Sequence, residues 1–99
     1  ILTDFIIDES CTLAKARAGS YGALRLLEII EKSEAFQVIW IGETRFEPAK
    51  TLFRKHADHG YSFTDCTSYV VMKERRIRDV LTTDNHFLEA GFHPLLSVA

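Results

Sequence analysis

Ninety-nine residues, 46% of them apolar, 11% aromatic and 26% charged, describe one small globular domain rather than a disordered or fibrous chain. With a formal net charge of −2 there is no general basic field for nucleic acid, so any such contact must be local. No apolar run approaches the roughly 18 residues of a membrane span, and the opening ILTDF is not a signal peptide.

Ile1–Thr3 reads as a short strand followed by Asp4 as a helix N-cap. Phe5 to Ala18 is helical in pattern, Gly19 and Ser20 break it, and Tyr21 to Glu31 resumes with Leu24, Leu27 and Ile30 as its core stripe. Phe36–Ile41 (FQVIWI) is a strand stopped by Gly42. Thr44 opens a helix with a capping-box pattern, TRFE, and Phe46, Ala49, Leu52 and Phe53 share one face of it. His56–Gly60 is a polar loop. Ser62 to Arg75 is a helix apolar around most of its circumference, so it is predicted to be buried nearly all round. Val80–Thr83 is a strand, Asn85–Ala90 a short helix ended by Gly91, and Phe92–Leu96 a last strand.

Strands separated by helices predict an α/β fold, a parallel sheet flanked by helices with right-handed connections. Ligands of such sheets bind outside the carboxyl ends of the strands. The two cysteines, Cys11 and Cys66, fall far apart within apolar helical patterns and read as reduced thiols of a cytoplasmic protein.

Helical geometry thins the fourteen acidic residues. Glu9 aligns with Phe5, Ile6, Leu13 and Ala16 and so is expected to face inward, whereas Asp8 lies on a more mixed edge. Asp65 aligns with Tyr69 and Met72, again an inward register. Asp84 follows the strand VLTT and therefore stands at its carboxyl end. Each position has a structural reading as well. Ser62 and Asp65 make a capping box, Asp84 can cap the helix from Asn85, and Glu9 can snorkel to the rim. Three converging buried carboxylates would repel and raise one another's pKa values, which a divalent cation relieves, and hard oxygen donors suit Mg²⁺ or Mn²⁺.

The remaining constellations are weaker. His56-Ala57-Asp58-His59 spaces two imidazoles in a polar loop without a thiolate, a poor zinc site. His86 and His93 are isolated in sequence, and no phosphate-cradling glycine loop or GxSxG elbow is present. Lys73, Arg75, Arg76 and Arg78 suit a solvated helix end and also a phosphate-tracking edge.

The stretches DFIIDESCTL, VIWIGETRFEPAKTLFRKH, SFTDCTSYVVM and LTTDNHFLEAGF, in that order, resemble the PIN-domain ribonucleases, particularly VapC-like toxins of bacterial toxin–antitoxin systems. The resemblance covers nearly the whole chain and includes the spacing of the acidic positions. It implies a Mg²⁺- or Mn²⁺-dependent endoribonuclease acting on RNA, restrained by an antitoxin protein. Glu9, Asp65 and Asp84 match the family's catalytic, metal-holding carboxylates, with Thr64 and Asn85 as supporting positions. If the chain is such a ribonuclease, Lys73, Arg75 and Arg76 of the basic run are the expected RNA contacts.

The family begins with a central strand ending in aspartate, and there is no room for one before Ile1. The expectation is therefore a single PIN-like domain over residues 1–99 lacking its first strand, with homo-oligomerisation covering the exposed edges. The competing expectation is a catalytically impaired PIN-like module that binds RNA or protein without cleaving.

Overall fold

The computed structural model describes residues 1–81 and 85–96, with the backbone alone at Asn85. Among these, the strands are two residues long, their pairings are parallel and helices separate them, an α/β arrangement of the predicted class. Among the described residues the ladders form two pairs, one in each of the units below. By packing the chain forms two units, Ile1–Ile41 and the residues from Gly42 onward.

The first unit contains β1 (Leu2–Thr3), α1 (Asp4–Lys32) and β2 (Val38–Ile39), with Leu2 opposite Val38 and Thr3 opposite Ile39. Alternation along the second strand region is strict: Ile39 and Ile41 are buried, while Val38 and Trp40 are exposed. Thr3, not Asp4, caps α1, its hydroxyl accepting from the Ile6 N–H at 3.1 Å. Asp4 is instead released to accept the Ile41 N–H at 2.9 Å, tying the start of the helix to the end of the β2 segment.

The predicted break at Gly19 is present within α1. Its φ of 73° and ψ of −178° lie in a region essentially restricted to glycine, and the two helical segments join there. The predicted core stripe is only partly covered. Leu27 and Ile30 are half-buried, Leu24 is 66% exposed, and no residue of α1 is fully buried. Periodicity selects a helix face but does not supply the surface that covers it.

The second unit contains α2 (Gly42–Lys55), α3 (Phe63–Glu74), β3 (Asp79–Val80), α4 (Asn85–Glu89) and β4 (His93–Pro94). The helix predicted from Thr44 starts two residues earlier, at Gly42, so Thr44 lies inside it rather than at its N-cap. Phe46 and Phe53 of α2 flank Phe63 of α3 at ring-centroid distances of 5.1 and 5.5 Å, and Ala49 is fully buried beneath them. Arg45 Nε reaches Glu74 Oε2 at 2.9 Å across the same helix pair.

As its sequence predicts, α3 is buried around its circumference: Cys66 through Met72 are all buried. Covering each Val or Met side chain there contributes roughly 1.5–3 kcal/mol. Tyr61, Phe87 and Phe92 complete this core around Tyr69.

Both ends of this helical framework close in the same way. After α3, Ile77 N–H returns to Met72 C=O at 2.8 Å and Arg76 N–H to Lys73 C=O, with Arg76 at φ 55°. After α4, Phe92 N–H returns to Phe87 C=O at 2.9 Å and Gly91 N–H to Leu88 C=O, with Gly91 at φ 96°. These are Schellman closures, and each places an apolar residue back on the core. β4 then pairs with β3 through His93 N–H to Arg78 C=O and Leu95 N–H to Val80 C=O. Pro94, which has no N–H, falls between these two bonds and costs the ladder nothing.

Candidate functional site

Asp65 is the third residue of α3, and the helix start determines where its carboxylate stands. Ser62 Oγ accepts the Asp65 N–H at 3.0 Å, while Asp65 Oδ2 accepts the Ser62 N–H at 3.0 Å. The capping box that the sequence left open is thus present. It occupies one carboxylate oxygen. His86 Nδ1 also stands 3.8 Å from Oδ2, and among the described residues Oδ1 takes no hydrogen bond. With its side chain only 15% exposed, Asp65 is a mostly buried carboxylate with one oxygen uncommitted among the described residues.

His86 was not selected by sequence, because nothing local links it to Asp65. The fold brings it in from α4, with Gly60 making the approach feasible: a Cβ at position 60 would lie 2.7 Å from His86 Nε2. Its ring meets Tyr61 edge-on at 5.8 Å.

The other predicted positions distribute as follows. Thr64 is half-buried beside Asp65 in the first turn of α3, and its carbonyl accepts the Thr67 hydroxyl at 2.6 Å. Lys73 is in the last turn of α3, where a cation suits the helix dipole, and Arg75 and Arg76 follow in the closure; all three are exposed. Glu9 belongs to the first unit and is exposed, contrary to the inward register expected of it. The cause is that its apolar stripe is itself open, with Leu13 47% exposed. Asp84 and the side chain of Asn85 lie outside the described residues. Among those described, no three His, Cys, Asp or Glu side chains gather as a metal-holding group.

A second feature lies on the far side of Tyr61, whose ring meets His86. The loop after α2 folds His56, His59 and Tyr61 against one another. His59 and Tyr61 stack nearly parallel, at 4.9 Å and 7°, and His56 meets both edge-on. Together with Tyr69, Lys73 and Glu89 they line a cleft of about 260 Å³, with Leu52 and Ala90 as its apolar wall. Glu89 Oε2 lies 3.6 Å from His59 Nδ1. Burial, followed by the charges of Glu89, Cys66, Asp58 and Asp65, pushes the Tyr61 phenol above its ordinary value, so it stays neutral. Burial, followed by Asp65, does the same to the Cys66 thiol. Both cysteines are free.

Comparison with known proteins is consistent along the chain. The family model for the PIN domain matches residues 1–93. The 23S rRNA-specific endonuclease VapC20 of Mycobacterium tuberculosis, in strains CDC 1551 and H37Rv alike, is 29% identical over 90 residues, covering 91% of this chain and 68% of the relative. The crystal structure of VapC20, described as a sarcin–ricin-loop-cleaving toxin, superposes with a TM-score of 0.85 at 28% identity, over 92% of this chain and 70% of that one. From the α/β architecture, the family match and this likeness together, the chain belongs to the PIN domain family.

Proposed function

We propose that the protein is a divalent-metal-dependent endoribonuclease, the toxin of a toxin–antitoxin pair, in which Glu9, Asp65 and Asp84 hold Mg²⁺ or Mn²⁺. The observation that carries this reading is Asp65: a largely buried carboxylate at the head of α3 with one oxygen committed to the helix cap and, among the described residues, the other open. An all-carboxylate oxygen donor set fits a hard divalent ion better than zinc or copper. Such an ion, when bound, lowers the pKa of a bound water and stabilises charge developing on a phosphate.

The chain's own residues supply orientation. Ser62 fixes the Asp65 carboxylate through the reciprocal cap, and the buried wall of α3 prevents the first turn from shifting. Thr64 and Asn85 support the rim. Lys73, Arg75 and Arg76 meet phosphates flanking the scissile one, which lets a chain of net charge −2 hold RNA locally. An antitoxin protein restrains the enzyme, which works in the cytoplasm as a homo-oligomer. The VapC20 likeness supports the ribonuclease class, and no helix among the described residues is long and apolar enough to cross a membrane.

Cleavage of a labelled RNA by the full chain tests this. Chelation is expected to abolish it and added Mn²⁺ to restore it, while Glu9→Gln and Asp84→Asn each slow it on the order of 10²-fold or more. Undiminished cleavage in excess chelator would refute the metal assignment.

A further inference from the structure

The cleft beside Asp65 combines three chemistries in a small space. Its wall includes a parallel imidazole–phenol stack, His59 on Tyr61, and His59 retains 40% exposure at the cleft. Lys73 reaches it from the last turn of α3 as an exposed ammonium with no ion pair among the described residues. Glu89 reaches it from α4 as a carboxylate beside His59. At about 260 Å³ the space suits one planar ring system. A helix, 10–12 Å across with its side chains, needs an open groove instead.

From this arrangement we infer that the cleft is a nucleotide subsite, taking one unstacked RNA base on the His59–Tyr61 stack with the adjoining phosphate at Lys73. Single-stranded RNA is held in this way, by aromatic faces that accept a base and cations that follow the backbone. Glu89 makes the subsite selective. A carboxylate accepts hydrogen bonds from an exocyclic amino group but repels a carbonyl edge, so adenine, guanine and cytosine are favoured over uracil.

The subsite is linked to the candidate catalytic carboxylate through two side chains, Tyr61 and His86. Tyr61 touches the His86 ring, and His86 stands 3.8 Å from Asp65. A base seated here therefore sets which phosphate lies near Asp65. The inference rests on the ribonuclease reading and extends it, by assigning sequence choice to residues outside the carboxylate set.

The test is RNA binding by the full chain in chelator, so that affinity is read without cleavage. A fluorescent single-stranded oligonucleotide panel carries one abasic position moved stepwise along it. His59→Ala is expected to weaken binding about 5- to 150-fold, the range for losing one stacked base, and His59→Phe to restore most of it. Lys73→Ala should lower the slope of log affinity against log salt by about 0.7, the value for one single-strand phosphate. At one abasic position the wild type should fall to the affinity of His59→Ala, which should itself be insensitive there. Circular dichroism melting confirms that the variants are folded.

Wild-type affinity in a folded His59→Ala chain that still cleaves RNA overturns the subsite and leaves the ribonuclease reading intact. Loss of binding to a cognate antitoxin protein, with RNA binding unchanged, overturns it in favour of a protein partner. Failure of the wild type to bind any RNA in chelator overturns the subsite, while Mn²⁺-dependent cleavage decides the ribonuclease reading separately.

Discussion

Replacing Asp65 by Asn separates the two roles that converge on one side chain. As a helix cap, the carboxylate accepts one charge-assisted hydrogen bond from Ser62 N–H at 3.0 Å. Such a bond contributes about 1.5–3 kcal/mol net, against about 0.5–1.5 for a neutral one, which the Asn carbonyl can still accept. Removing a negative charge from the first turn forfeits a further 0.3–1 kcal/mol or so, a contribution overlapping the first. The expected loss is therefore about 1–2 kcal/mol, or roughly 5–15 °C in Tm for a domain of this size. As a metal ligand, the same substitution should slow Mn²⁺-dependent RNA cleavage on the order of 10²-fold or more, well below the melting temperature. Ser62→Ala is the matched control. It removes the other half of the cap at a cost of about 1 kcal/mol but leaves the carboxylate in place, so cleavage should survive. Thermal melts and initial cleavage rates at 25 °C are measured on all three proteins. If Asp65→Asn loses stability as calculated yet cleaves at the wild-type rate, Asp65 is a cap alone and the ligand assignment is wrong.

Arg76→Gly should stabilise the protein although it removes a side chain. Arg76 closes α3 at φ 55°, where a non-glycine residue costs about 1–2 kcal/mol, and glycine's extra unfolded-state freedom returns only about 0.4–1 of that. Urea denaturation should report a net gain of about 0.5–1 kcal/mol, and a loss would contradict the strained closure. Stability should also decline in alkali. The folded-state values of Cys66 and Tyr61 are both raised, from ordinary values of 9.0 and 10.0, so the protein binds more protons folded than unfolded in that window. The stabilisation is fully present below about pH 9 and is lost as pH rises through each group's elevated folded value. Tyr61→Phe should flatten its share of the slope in denaturation measured from pH 8 to 11, and an unchanged slope would show that the phenol titrates alike in both states.

The parts of the fold legible in the chain were those specified by local chemistry. Gly19 marked a break because its conformation is nearly closed to other residues, and Ser62 with Asp65 marked a helix start because both cap partners are within one turn. The buried helix was legible because Cys66 to Met72 offers scarcely any polar face. Boundaries resting on competition between neighbours were less so. Thr3 displaced Asp4 as the cap because Asp4 had a distant claim on it, the N–H of Ile41. Glu9 is exposed because alignment with apolar residues states which face a side chain is on and nothing about what covers that face.

What the sequence determined by itself was the class of the fold and the cap that sets Asp65 at the head of α3, since helix periodicity, capping and residue order act over a few positions. The second environment of Asp65 was decided by tertiary structure alone. His86 reaches it from another helix, passing close to Gly60, and His56, His59, Tyr61, Lys73 and Glu89 share a cleft although they come from one loop and two helices. Contacts of that kind arise from packing between distant segments, and no periodicity in the sequence encodes them.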